Sequence, residues 1–274
     1  SQFGSTLPAL LVAGKEIYGW SADGSSLRGF HSSGLLARLP LAAAGRFVGQ
    51  PALGDLNGDA VIDFLVGGTF RFINDPVATP WANGFFGADA NDDGLADVDF
   101  VLSLSGTAVT TSAVLGDSLA AMGTARAGVV FLTLGGSIRS TVAIDSTAVV
   151  GLSLWAKGDT FIAVSSGGAV ALVTSSGVLH AKQFGKFFNA PASVANFPDG
   201  KRIALAASDG TLYLFDNTLT PVSGFPLSTG GEILNSPALA DVDGDGQTDI
   251  ITVSGNRIVA VNGAGSMLEQ FPIP

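Results

Sequence analysis

The chain has 274 residues, 47% of them hydrophobic, enough to bury a large core as one all-β domain or as two smaller ones. It has no cysteine, which excludes disulfides, thiolate metal sites and cysteine nucleophiles, and its only histidines are His31 and His180, so oxygen is the ligand atom in good supply. A formal charge of -10 and a pI near 4.4 without any basic stripe argue against a nucleic-acid partner, and no uninterrupted apolar run of about 18 residues marks a membrane-inserting segment.

From the amino terminus, a first unit (about 1–46) has an apolar stretch from Ile17 to Trp20 and closes on Gly29 and Phe30. His31 follows and reads as an exposed edge residue. A second unit (47–82) carries Pro-Ala-Leu-Gly at 51–54 and then an acidic loop. Its inward-facing positions are Asp55, Asn57, Asp59, the carbonyl of Val61 and Asp63, with Ala60 where the chain turns and Gly58 two residues earlier. Trp81, Asn83 and Phe85 read as packing between units rather than a binding site. The third unit (83–112) has Phe-Phe-Gly-Ala at 85–88, followed by Asp89, Asn91, Asp93, the carbonyl of Leu95 and Asp97, with Gly94 at the turn.

Two further units follow at 113–144 and 145–186, where alanine-rich Ser118 to Ala127 is the one stretch with any claim to be helical. In the fifth, the loop positions read Ser153, Trp155, Lys157, Asp159 and Phe161. In the sixth (187–232) they read Ala195, Phe197, Asp199, Lys201 and Ile203. A single carboxylate beside a lysine cannot hold a dication. The last unit (233–274) has Pro-Ala-Leu-Ala at 237–240 and the densest loop: Asp241, Asp243, Asp245, the carbonyl of Gln247 and Asp249, with Gly246 at the turn. It runs into the β-branched stretch Ile250 to Val253.

These units are copies of one module. Sliding 191–227 forward by 46 without a gap puts Pro191 on Pro237, Asp199 and Gly200 on Asp245 and Gly246, and Phe225-Pro226 on Phe271-Pro272. A slide of 195 puts Ile17 on Leu212 and Gly29-Phe30 on Gly224-Phe225, and one of 42 puts Gly158 on Gly200. Each module reads as a short strand, a loop, a second strand, a glycine turn, a third strand and a more polar fourth. The pattern predicts an all-β fold, a single β-propeller over 1–274 with four-stranded antiparallel blades. Third strands centred on Ile17, Phe70, Val109, Ile138, Val170, Leu212 and Ile258 predict seven blades, with the acidic loops between first and second strands.

The chemistry of the three acidic loops follows from their spacing. A hard dication takes six to eight oxygens at ~2.3–2.6 Å, and alternating carboxylates on a glycine-bent loop supply them. Up to three bound Ca2+ are therefore expected, which would bring the formal charge from -10 to -4. The last loop begins like an EF-hand but has Thr252 where the bidentate Glu would stand, and a strand follows it. With their flanking Pro-Ala-Leu segments and the Gly-Phe-Pro ending at Gly224 to Pro226, these loops resemble FG-GAP repeats, the blades of integrin-alpha-like propellers and of bacterial surface proteins. That resemblance implies calcium loops on one face, a protein or carbohydrate ligand on the opposite face, and a secreted or cell-surface location.

The function expected is a non-catalytic, calcium-stabilised recognition, adhesion or scaffold module. Ca2+ affinities of ~10⁻⁴–10⁻³ M, usual for extracellular modules, are useful only outside cells. The alternative is the propeller domain of a secreted polysaccharide-active lyase or glycosidase, but the loop aspartates all have ligand roles and no second carboxylate pair is free to act as acid and base. No Gly-x-Ser-x-Gly elbow with a histidine partner occurs, and no cofactor-docking tryptophan recurs from unit to unit.

Overall fold

The computed structural model describes residues 9–13, 17–21, 23–26, 42–56, 63–72, 79–85, 98–104, 107–126 and 128–274. The described elements are all strands, and none is a helix able to cross a membrane. They group into two compact units, Ser1–Thr141 and Val142–Pro274.

In the first unit, β1 (Ala9–Ala13) and β2 (Ile17–Ser21) pair as an antiparallel hairpin. A four-stranded sheet follows from β3 (Ala42–Gly54), β4 (Asp63–Phe72), β5 (Thr79–Phe85) and β6 (Val98–Ser103), in chain order. The next sheet holds β7 (Val114–Leu115), β8 (Leu119–Gly123), β9 (Val129–Thr133) and β10 (Ile138–Val142). A strand thus occupies the alanine-rich stretch, because Ala120, Ala121 and Met122 are buried on both faces of the sheet. Leu56, Leu65 and Leu104 pack with Val109, Met122, Val130 and Leu132 to form the core of this unit.

The second unit contains three sheets: β11 (Val149–Ala156) to β14 (Gly177–Gln183) through β12 (Thr160–Ser165) and β13 (Ala169–Thr174); β15 (Ser193–Phe197), β16 (Gly200–Ala206), β17 (Thr211–Phe215) and β18 (Leu227–Ser228); and β19 (Ala238–Ala240), β20 (Asp249–Ser254) and β21 (Arg257–Val261). Inner strands read as unbroken apolar runs because both faces are covered. Alternate residues along a strand point to opposite faces, so Ile203 and Leu205 of β16 meet Ile162, Val164 and Leu172 of one neighbouring sheet. Ala204 and Ala206 of the same strand meet Ile250, Val259 and Val261 of the other. The outer strand β14 is exposed along its length, and His180 lies there in the ladder opposite Leu172.

The described residues form six sheets, and the boundaries in the first unit differ from the seven-blade reading. Phe70 and Ile138 lie in the second and fourth strands of their sheets, and Val109 makes only an isolated bridge to Thr124. The supposed units 47–82 and 83–112 share one sheet, since β5 pairs with both β4 and β6. Gly67-Gly68 lies inside β4. Counting Phe70 as a third strand needs a turn before it, yet β4 runs straight through both glycines. Gly67 is buried, and a Cβ there would stand 2.9 Å from Val109 Cγ1 and 3.2 Å from the sulfur of Met122. That glycine permits close packing of two sheets and makes no turn.

Where glycine does turn the chain, between β16 and β17, the fit is equally tight. Gly210 has φ +85°, and a Cβ on it would lie 2.1 Å from the carbonyl oxygen of Gly231, on the connection to the next sheet. Gly210→Ala is expected to lower stability by more than about 1 kcal/mol, combining left-handed strain with a backbone clash; urea unfolding of the variant checks this.

Candidate metal centre

Strand register places the loop 241–248. Leu239 pairs with Ile250 and Ala240 with Asp249, leaving eight residues outside the ladder. Gly244 and Gly246 adopt φ of +81° and +83°, which bends the loop back on itself. The bend is fixed from within. Both Asp241 carboxylate oxygens accept backbone bonds, from Gly244 N at 2.8 Å and Gly246 N at 2.9 Å, and Asp249 Oδ2 accepts from Val242 N at 3.0 Å.

Asp241, Asp243 and Asp249 each bring a carboxylate oxygen within 4.8 Å of the others. Two oxygens on opposite sides of a Ca2+ at ~2.4 Å would be about 4.8 Å apart, so the three fit one coordination sphere. All donors are hard oxygens, which suits calcium and disfavours a thiolate- or imidazole-seeking metal. Asp245, expected in the same set, is turned aside: its Oδ1 accepts from Gln247 N at 2.7 Å and its Oδ2 from Gln247 Nε2 at 3.0 Å. Asp249 is 1% exposed, and burial raises its carboxyl pKa above the usual 3.8. The Val242 N–H opposes that rise, while the charges of Asp243, Asp245 and Asp241 add to it.

Residues 198–252, which include this loop, match the FG-GAP-like repeat family. No curated protein matches the chain. Among solved structures, BamB from Moraxella catarrhalis is similar over 98% of this chain and 73% of its own, with 13% identity and a TM-score of 0.61. A complex of BBS1N with ARL6DN contains a chain similar over 99% and 80%, at 11% identity and a TM-score of 0.62. A chain of a mitotic checkpoint complex is similar over 98% and 75%, at 14% identity and a TM-score of 0.68. BamB and BBS1N are β-propellers, and the FG-GAP-like repeat match covers residues 198–252 of this chain. The chain is a β-propeller.

Other loops of the propeller can now be placed against this one. Gly54 pairs with Asp63 as Ala240 does with Asp249, with the same number of intervening residues. Asp63 is fully buried, and its Oδ2 accepts from Leu56 N at 2.8 Å, the counterpart of the Val242 bond. Gly58 falls at the position of Gly244, so the earlier glycine is the one that this loop keeps. Asp55 is described and exposed, whereas Asn57, Asp59 and Val61 lie outside the described residues. Asp89, Asn91, Asp93, Leu95 and Asp97 lie outside them too. The strands flanking that segment, β5 and β6, are the third and fourth of their sheet, not the first and second.

The sixth unit shows what replaces a metal loop. Ser193 pairs with Ala204, the register of Leu239 with Ile250 after the 46-residue slide. Here the ladder continues through Phe197↔Gly200 and closes as a tight hairpin. Asp199 Oδ2 binds Arg202 Nη2 at 2.7 Å. Lys201 Nζ donates to the carbonyl of Trp155 and lies 5.0 Å from that ring's centroid. A fixed cation of the chain thus sits against the preceding sheet. Thr248 was not singled out by the sequence, yet its Oγ1 donates to Asn196 O at 2.9 Å and ties the acidic loop to this hairpin. The slide aligns Thr248 with Arg202, so no shared side chain flagged the contact.

Proposed function

We propose that this propeller is a non-catalytic recognition or scaffold module that works outside the cell, with Ca2+ stiffening particular blades. The observation that carries the proposal is the convergence of Asp241, Asp243 and Asp249 within one coordination sphere. The Gln247 carbonyl joins the proposed set while Asp245 stays on Gln247, and the loops at 55–63 and 89–97 are the further candidates. Bound cation would offset the repulsion among these carboxylates and rigidify the β19–β20 entry, and the ~10⁻⁴–10⁻³ M affinities of such loops suit extracellular calcium.

The ligand is proposed to be a protein or carbohydrate on the sheet ends away from the acidic loop. Two large apolar side chains support this within the second unit. Phe187 is 73% exposed and Leu234 54%. Phe187 O accepts from Ser208 N beside the β16–β17 turn, and Glu232 O accepts from Gly255 N at the β20–β21 turn. Both segments therefore lie at the strand ends opposite to the loop 241–248. The test of the metal reading is thermal unfolding in EDTA and in millimolar Ca2+. Calcium is expected to raise Tm, and Asp243→Ala to reduce that rise without changing the metal-free Tm by more than a few degrees; identical Tm in both buffers would sink the proposal.

A further inference from the structure

A pocket of about 340 Å³ opens beside the acidic loop, between the tip of the β15–β16 hairpin, the segment after β17 and the turn after β21. Its volume is that of a small-ligand site. Phe197, Pro198 and Val222 form an apolar wall, and Asp199, Asp245 and Gln247 are three acceptor-bearing side chains of its rim. No lysine, arginine or histidine lines it. No cation stands in the lining itself: Asp199 Oδ2 is paired with Arg202 Nη2 at 2.7 Å from outside it, and Asp245 is bound by Gln247 N and Nε2.

The neighbouring junction shows what such a gap takes. Between the β11–β14 and β15–β18 sheets, Lys201 reaches across to the Trp155 carbonyl and lies over its ring. Between the β15–β18 and β19–β21 sheets, the repeat puts Gln247 in place of Lys201 and Phe197 in place of Trp155. Both replacements line the pocket. One junction carries its own ammonium, while the next has the aromatic wall and the acceptors without it.

We propose that this pocket binds a primary ammonium on an alkyl stem, the side chain of a lysine presented by a partner protein. The stem lies along Phe197, Pro198 and Val222. An ammonium has three N–H donors and no acceptor, which matches acceptors from Asp245, the amide oxygen of Gln247 and the Asp199 oxygen that Arg202 does not bind. The net negative field of the adjoining loop favours a cation even with one Ca2+ bound, since four carboxylates outweigh two positive charges. The inference goes beyond the calcium reading and stands without it.

The probe is N-acetyl-lysine methylamide, titrated into the intact chain by NMR in EDTA and again in saturating Ca2+. Amide shifts are expected at Phe197, Asp199, Ser223 and Gly263 in both buffers. Acetylating the probe's ε-amine should weaken binding about tenfold or more, because a charge-assisted hydrogen bond is lost. Gln247→Lys should supply the missing ammonium and abolish binding. Lys201→Ala should create a second site reported by the Trp155 indole. Equal binding of the acetylated probe, displacement by a neutral disaccharide, or shifts confined to Asp241, Asp243 and Asp249 would each overturn the assignment. A calcium-independent Tm alongside normal probe binding would count against the metal loop alone.

Discussion

Asp249→Asn is expected to be no less stable than the parent in EDTA and clearly less stable in calcium. The buried carboxylate of Asp249 accepts one backbone hydrogen bond, from Val242 N, and an asparagine oxygen can accept the same bond. What the substitution removes is charge. In the metal-free protein that charge is a burden: burial first, then the neighbouring aspartates, raise the Asp249 pKa. A carboxyl whose pKa is higher folded than unfolded binds more proton in the native state. Stability from this group is therefore present below about pH 4 and lost as pH rises through the raised value.

At neutral pH the parent carries that cost in EDTA and the variant does not. With about 10 mM Ca2+ and a dissociation constant of ~0.1–1 mM, each occupied site adds roughly 1.4–2.7 kcal/mol. Asp249→Asn forfeits the share from its own loop, so the order of stability reverses between buffers. In EDTA the difference should close again near pH 4. Urea unfolding in both buffers at two pH values measures all four terms. A variant equally destabilised with and without calcium would show that the carboxylate only braces the loop.

Phe188→Ala is expected to lose about 3–5 kcal/mol, whereas Phe187→Ala should stay within about 0.5 kcal/mol of the parent. Phe188 is fully buried in the core shared by the β11–β14 and β15–β18 sheets. Its ring meets Phe184 edge-on at 6.3 Å and lies 6.3 Å from Tyr213. Truncation would leave a cavity among Ile162, Leu205 and Phe215 that rigid sheets cannot close. The adjacent ring of Phe187 points the other way and is mostly in solvent. Denaturant midpoints of the two variants separate these environments; similar losses at both positions would mean the core has been misplaced.

That pair of phenylalanines also marks a limit of the sequence. Both occupy a connection between strands, where no period of two assigns a side chain to a face. In the repeats of the second unit, by contrast, the chain spoke clearly: the 46-residue slide anticipated the register of β15–β16 and β19–β20, because a pairing shift of one residue would move every apolar side chain to the wrong face. Around residues 47–103 the expected units and the sheets part. Gly67 looks like a turn residue, but its missing side chain accommodates Val109 and Met122, contacts that exist only after the sheets pack.

By itself, the sequence determined the all-β class, the repeated module and the carboxylate spacing, since alternation and loop chemistry are local. Tertiary structure decided the rest. It merged two expected units into one sheet, gathered Asp241, Asp243 and Asp249 while turning Asp245 toward Gln247, and opened a pocket where the preceding junction holds Lys201. Each of these depends on distances between segments far apart in the chain, which packing sets and local pattern does not encode.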